Sequence, residues 1–230
     1  LDVFETNLRM VGNFLRAAER QPVARLVYIS SGAVYGEELH DLAICESTPV
    51  QPVSYYGIAK YASERLLENL AARHPATALV CVRPPLVYGP GDASRSYGPA
   101  GFVRAALEGR EIVVWGDGLE QREFLYVDDL AALLHDLVFL PCRGVLNAAS
   151  GRSRTFQDIL RILRDERGGR LAVTARPRSK QKVDNAYDIT RLRELLPGFA
   201  FTSLEEGLRR TLRAERAALT EPGSGPQTRG

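Results

Sequence analysis

The chain has 230 residues, 45% of them hydrophobic and 25% charged, enough for one large core or two small ones. Thirty Lys and Arg against 28 Asp and Glu leave a net charge of +2, which gives no electrostatic reason to expect nucleic acid or an anionic membrane as partner. No apolar run approaches the roughly 18 residues of a membrane-spanning helix. The start, LDVFETNLRM, lacks the layout of a signal peptide. Cys45, Cys81 and Cys142 are odd in number and widely spaced, which argues against a disulfide framework and for a reducing cytoplasm. His40, His74 and His135 are scattered, so no metal site is expected.

Residues 4–20 carry apolar side chains at Phe4, Leu8, Val11, Leu15 and Ala18, the spacing of a helix with one apolar face. Residues 24–32 read as a strand buried on both faces and ending in Ser-Ser-Gly. A loop over 33–53 leads to a helix over 54–74, then to a buried strand over 77–85 stopped by two prolines. A short helix over 101–109 precedes two strands around Gly116-Asp117-Gly118 within 111–127. A helix over 128–140 opens with acidic residues at its amino end. Then follow a strand over 144–150, a helix over 155–167 capped by Thr155, and a strand over 171–177. Helices over 188–197 and 203–219 close the chain, the second opened by a Ser-x-x-Glu capping box. Residues 217–230 run into a Pro/Gly-rich tail expected to be disordered. Strands alternating with helices predict an α/β fold with a parallel sheet.

Tyr56 and Lys60 stand four residues apart near the start of a helix, on one face. A phenol titrates near pH 10, too high for a base at neutral pH, and a nearby cation lowers that value. Lys60 is therefore a sensible tuner for Tyr56 as acid/base. Ser30-Ser31-Gly32 ends a buried strand, where ligands of open α/β sheets bind. Taken singly, either feature has a plain alternative, a helix surface or a turn leaving a strand.

Together they carry a resemblance. Ser30-Ser31-Gly32-Ala33-Val34-Tyr35-Gly36, Tyr56-x-x-x-Lys60, Arg83-Pro84-Pro85-Leu86-Val87-Tyr88-Gly89-Pro90, Gly116-Asp117-Gly118 and Arg122-Glu123-Phe124-Leu125-Tyr126-Val127-Asp128-Asp129 stand in order. The chain resembles the extended short-chain dehydrogenase/reductase family, and within it the NAD-dependent nucleotide-sugar epimerases and dehydratases. The resemblance implies a Rossmann-type doubly wound parallel sheet and a smaller α/β substrate lobe. It assigns residues 1–83 and 127–150 to the dinucleotide-binding part, and 84–126 and 151–216 to the lobe.

It further implies Tyr56 as acid/base, Lys60 on the nicotinamide ribose and Ser31 as the hydroxyl orienting the substrate oxygen. Asn7, Ser30, Pro84, Leu86 and Val87 would lie at the cofactor, and Arg122 and Arg176 at the diphosphate of the nucleotide sugar. The expected cofactor is NAD, with NADP left open, and the expected assembly is a homodimer paired through residues 4–20 and 54–74. The family's Gly-rich dinucleotide turn is missing, so the chain reads as an amino-terminal truncation whose sheet is incomplete at that end, and it is expected to be inactive by itself. Where the family's 4,6-dehydratases carry an Asp-Glu pair, this chain has Gly32 and Ala33, with nothing to ionise. That favours a 4-epimerase of the UDP-glucose/UDP-galactose type. A 4-keto-sugar reductase and a non-catalytic dinucleotide-binding relative stay open.

Overall fold

The computed structural model describes residues 1–92, 98–178 and 181–220. The elements run α1 (Asp2–Arg20), β1 (Arg25–Ile29), a short 3-10 helix (Gly32–Tyr35), β2 (Asp41–Ile44), α2 (Tyr55–Arg73), β3 (Ala78–Arg83), β4 (Leu86–Tyr88) and α3 (Gly98–Leu107). They continue as β5 (Ile112–Trp115), β6 (Gln121–Arg122), β7 (Phe124–Tyr126), α4 (Val127–Phe139), β8 (Gly144–Asn147) and β9 (Arg154–Thr155). The last are α5 (Phe156–Arg167), β10 (Val173–Arg176), β11 (Asn185–Tyr187), α6 (Thr190–Leu195) and α7 (Leu204–Thr220). The tail expected over 217–230 begins inside α7, and residues 221–230 lie outside the described residues.

Two units divide the chain. The first comprises residues 1–87, 121–153 and 181–201. Its main sheet is parallel, in the order β1-β3-β8, with Val27 opposite Val80 and Val82 opposite Leu146. The apolar run Leu79-Val80-Cys81-Val82 makes β3 the buried centre, as its sequence predicts. β1 differs from expectation. It lies at an edge among the described residues, half-buried along its length, with Ile29 42% exposed. An apolar run reports that a strand suits a sheet interior; it does not count neighbours.

α1 turns Val11 and Ala18 into the protein and packs on α2, as the helical spacing predicts. One core layer gathers Val34, Tyr35, Val82, Leu133, Leu146 and Tyr187, and a smaller one gathers Val11, Leu67, Leu79 and Cys81. The loop read over 33–53 conceals β2, which pairs in parallel with β11. Both strands are too short for a period-2 signal.

The second unit comprises residues 88–120, 154–180 and 202–230. β5 pairs in parallel with β10, Val114 opposite Ala175. The strand before the Gly-Asp-Gly turn thus finds its partner far along the chain instead of across the turn. Gly116 and Gly118 take positive φ there, as a tight turn requires. Thr155 and Asp158 form the capping box of α5, at 3.1 Å from the Asp158 N–H to Thr155 Oγ1 and 3.0 Å for the return bond. Ser203 accepts the Glu206 N–H at 3.2 Å, the cap expected of α7.

Candidate active site

Ser30, Ser31 and Pro84 stand where β1 and β3 end. Ser30 donates its N–H to the Val82 carbonyl, and Gly32 donates to the Pro84 carbonyl, each at 2.7 Å. The chain leaving β1 is thereby tied to the chain leaving β3. Ser31 caps the 3-10 helix, its Oγ accepting the Ala33 N–H at 3.2 Å.

α2 begins against this turn. Ser54 is its N-cap and accepts the Gly57 N–H at 3.0 Å, while its hydroxyl donates to Glu37. A methyl group on Gly57 would come within 2.7 Å of the Ala33 carbonyl oxygen. Only a residue without Cβ lets the helix start this close. Tyr56, the residue before Gly57, stands in the same first turn of α2 and is 40% exposed.

Lys60 follows one turn later. Its Nζ donates to the Ile29 carbonyl at 2.9 Å and lies 5.7 Å from the centre of the Tyr56 ring and 5.3 Å from that of Tyr28. Burial pulls the amine below its ordinary pKa, while the charge of Glu64 pushes it back. The expected pairing of Tyr56 and Lys60 on one helix face is thus realised. Asn7 shares with Lys60 a cavity of about 220 Å³ lined also by Met10, Phe14 and Tyr28. The Asn7 amide donates to the Val3 carbonyl of its own helix at 2.8 Å.

Pro84 is buried, and Leu86 and Val87 are half-buried in β4. Arg122 stands in β6, its guanidinium donating to the carbonyls of Gln121 and Val183. Arg176 belongs to the second unit, exposed at the end of β10.

Beneath the site lies a polar network that motif spacing does not reveal. Arg83 ends β3 and meets Glu64 of α2 through Nε at 2.9 Å and Nη2 at 2.6 Å. Both side chains are buried. The guanidinium carbon lies 4.8 Å from the centre of the Tyr35 ring, and the Tyr35 hydroxyl donates to Asn147 Oδ1 at 2.7 Å. Burial by itself would lower the Arg83 pKa, but the Glu64 carboxylate and the Tyr35 hydroxyl together more than offset it, and the guanidinium is raised. Glu64 is four residues after Lys60, so the pair fixes the helix turn from which Lys60 reaches Ile29. The signal in the sequence is Arg83, a charge that closes the apolar run 79–82.

Glu123 is the second hidden group. Its carboxylate accepts the N–H groups of Tyr187, Ser150 and Gly151 at 2.9, 2.9 and 3.0 Å. Burial pushes its pKa up against those donors.

The model of a family described as "NAD dependent epimerase/dehydratase family" matches residues 1–140. Among proteins of known name, the chain is 28% identical over 219 residues to a Methanocaldococcus jannaschii protein named provisionally as a UDP-glucose 4-epimerase, spanning 91% of this chain and 70% of that one. It is 23% identical to the uncharacterized UDP-glucose epimerase YtcB of Bacillus subtilis, spanning 88% of this chain and 64% of YtcB. Among solved structures, it superposes on a UDP-glucose 4-epimerase of Thermotoga maritima with UDP-glucose at a TM-score of 0.83 and 28% identity, covering 94% of this chain and 71% of that one. MoeE5 in complex with UDP-glucose and NAD gives a TM-score of 0.83 and 28% identity, covering 93% of this chain and 72% of MoeE5. These neighbours bear out the Rossmann-type α/β class.

Proposed function

Because the chain belongs to the NAD dependent epimerase/dehydratase family, we propose that it serves a nucleotide-sugar 4-epimerase of the UDP-glucose/UDP-galactose type that works through a 4-keto sugar. The observation that carries this reading is the Lys60 ammonium, held by the Ile29 carbonyl beside the ring of an exposed Tyr56. A nicotinamide dinucleotide, when bound, supplies the hydride acceptor. The groove at Lys60 suits one end of it: an ammonium has three donors, of which Ile29 uses one, and Asn7 lines the same groove.

Tyr56 takes the proton of the sugar 4-hydroxyl and returns it after the 4-keto sugar has turned its other face. Lys60 holds its ammonium beside the Tyr56 ring, and Ser31 orients the same sugar oxygen. Ser30, Pro84, Leu86 and Val87 flank the nicotinamide end. Arg122 serves the diphosphate, for which guanidinium geometry is suited. Gly32 and Ala33 offer no carboxylate for elimination, which favours epimerisation over dehydration.

The test is Tyr56→Phe in the natural protein, with interconversion of UDP-glucose and UDP-galactose followed by NMR. A loss of about 10²-fold or more is expected from removing an acid/base. Activity within a few-fold of wild type would overturn the mechanism, and stoichiometric consumption of NADPH would assign a reductase instead. Pairing of two copies through α1 and α2 belongs to the same reading. It is supported by exposed Ile58 and Leu66 and is checked by light scattering.

A further inference from the structure

Gly32 needs no special backbone, because it is absent from the positive-φ glycines that mark the turns among the described residues. Its demand for glycine is steric. A methyl group there would overlap the hydroxyl of Tyr187 and stand 3.2 Å from the Pro84 carbonyl oxygen. The phenol oxygen of a residue 155 positions away thus occupies the place where a side chain at position 32 would begin.

Tyr187 is held there firmly. Its N–H donates to Glu123 Oε1 at 2.9 Å, and its ring meets that of Tyr35 edge-on, 6.4 Å between centres. β11 fixes its height, with Tyr187 opposite Ile44. The ring belongs to the core layer that contains Val34 and Val82, so only its oxygen end reaches the Ser31–Gly32 turn.

We propose that Tyr187 is a specificity-determining residue of this site: its phenol replaces the side chain that position 32 lacks and offers a hydroxyl to the sugar end of the nucleotide sugar beside Ser31. This rests on the functional reading above. Two consequences follow from the geometry. Any residue larger than glycine at 32 must displace the Tyr187 hydroxyl, which disfavours a carboxylate acting from that position. The group that fills the space is a hydrogen-bonding hydroxyl. Burial pushes its pKa above the ordinary phenol value, so it stays protonated near neutral pH and leaves acid/base work to Tyr56.

The experiment has two arms. The first measures thermal unfolding of wild type, Gly32→Ala, Tyr187→Phe and the double variant. Removing the phenol oxygen removes the overlap, so Gly32→Ala is expected to lose several degrees and the double variant to recover most of them. If Gly32→Ala does not fold, a folded double variant is the same result. Additive losses, or an unfolded double variant, would overturn the placement. The second arm measures binding of UDP and of UDP-glucose by calorimetry, with NAD present, to wild type and Tyr187→Phe. Loss of one hydrogen bond predicts roughly fivefold to tenfold weaker UDP-glucose binding and less than a twofold change for UDP. Equal binding of UDP-glucose by both proteins would overturn the proposal. Wild type that binds UDP-glucose no better than UDP would overturn the functional reading itself, while the first arm still reports on the packing.

Discussion

β1 and β3 lie side by side in one parallel sheet, in register, and carry similar apolar sequences, yet they live in different environments. β3 is buried from Leu79 to Arg83, while β1 is half-buried and ends on an exposed Ile29. The candidate site takes one group from each: Pro84 follows β3, and Ser30 and Ser31 follow β1. Precision comes from the β3 side, where Arg83 and Glu64 lock α2 to the strand end. The β1 side is met by Lys60, which donates to the Ile29 carbonyl and stands over the Tyr28 ring. The site is thus a rigid half joined to a more open one.

The buried ion pair gives the largest expected effect. Arg83→Met leaves the Glu64 carboxylate buried with its partner gone, and about 3–5 kcal/mol of stability is expected to disappear in urea denaturation. Arg83→Met with Glu64→Leu removes both charges and should recover most of that loss. A single substitution costing under about 1 kcal/mol would show that β3 does not owe its firmness to the pair.

How far the sequence exposes this contrast depends on the kind of residue. The Tyr56–Lys60 spacing is legible because helix geometry fixes it, and Ser31 is a candidate through the ordered motifs of the resemblance. Helices such as α1 and α5 are legible from period and caps. Arg83 and Glu64 are not, since a charge inside an apolar pattern ordinarily reads as surface until its partner is seen. β2 and β11 are too short to show a period, and their pairing joins distant segments. Tyr187 is hidden for the same reason: nothing local to residue 187 points to Gly32.

The interior of the sheet supplies a finer test at matched positions. Val82 and Ile29 face each other in register across β3 and β1. Val82→Ala opens space in a close-packed layer and should cost about 1–3 kcal/mol. Ile29→Thr keeps a β-branched side chain at an exposed place and should stay within about 0.5 kcal/mol of wild type. Chemical denaturation of both variants checks this, and equal losses would erase the difference between the strands.

The smallest effect concerns the link between the two halves. Burial holds the Lys60 amine below its ordinary pKa in the folded chain, while in the unfolded chain it titrates near 10.4. Below the folded value both states are charged, and the folded state bears the full cost of burying the ammonium. Between the two values the unfolded chain binds the extra proton, so stability from this group rises with pH. Wild type should therefore gain on Lys60→Met as pH climbs through the alkaline window that ends near 10.4, read as urea midpoints at intervals from neutral pH upward. The charge of Glu64 opposes the shift and keeps the gain small. A difference between the two proteins that stays constant with pH would mean that Lys60 is as well hydrated when folded as when unfolded. The open half of the site would then be open to water as far as the lysine itself.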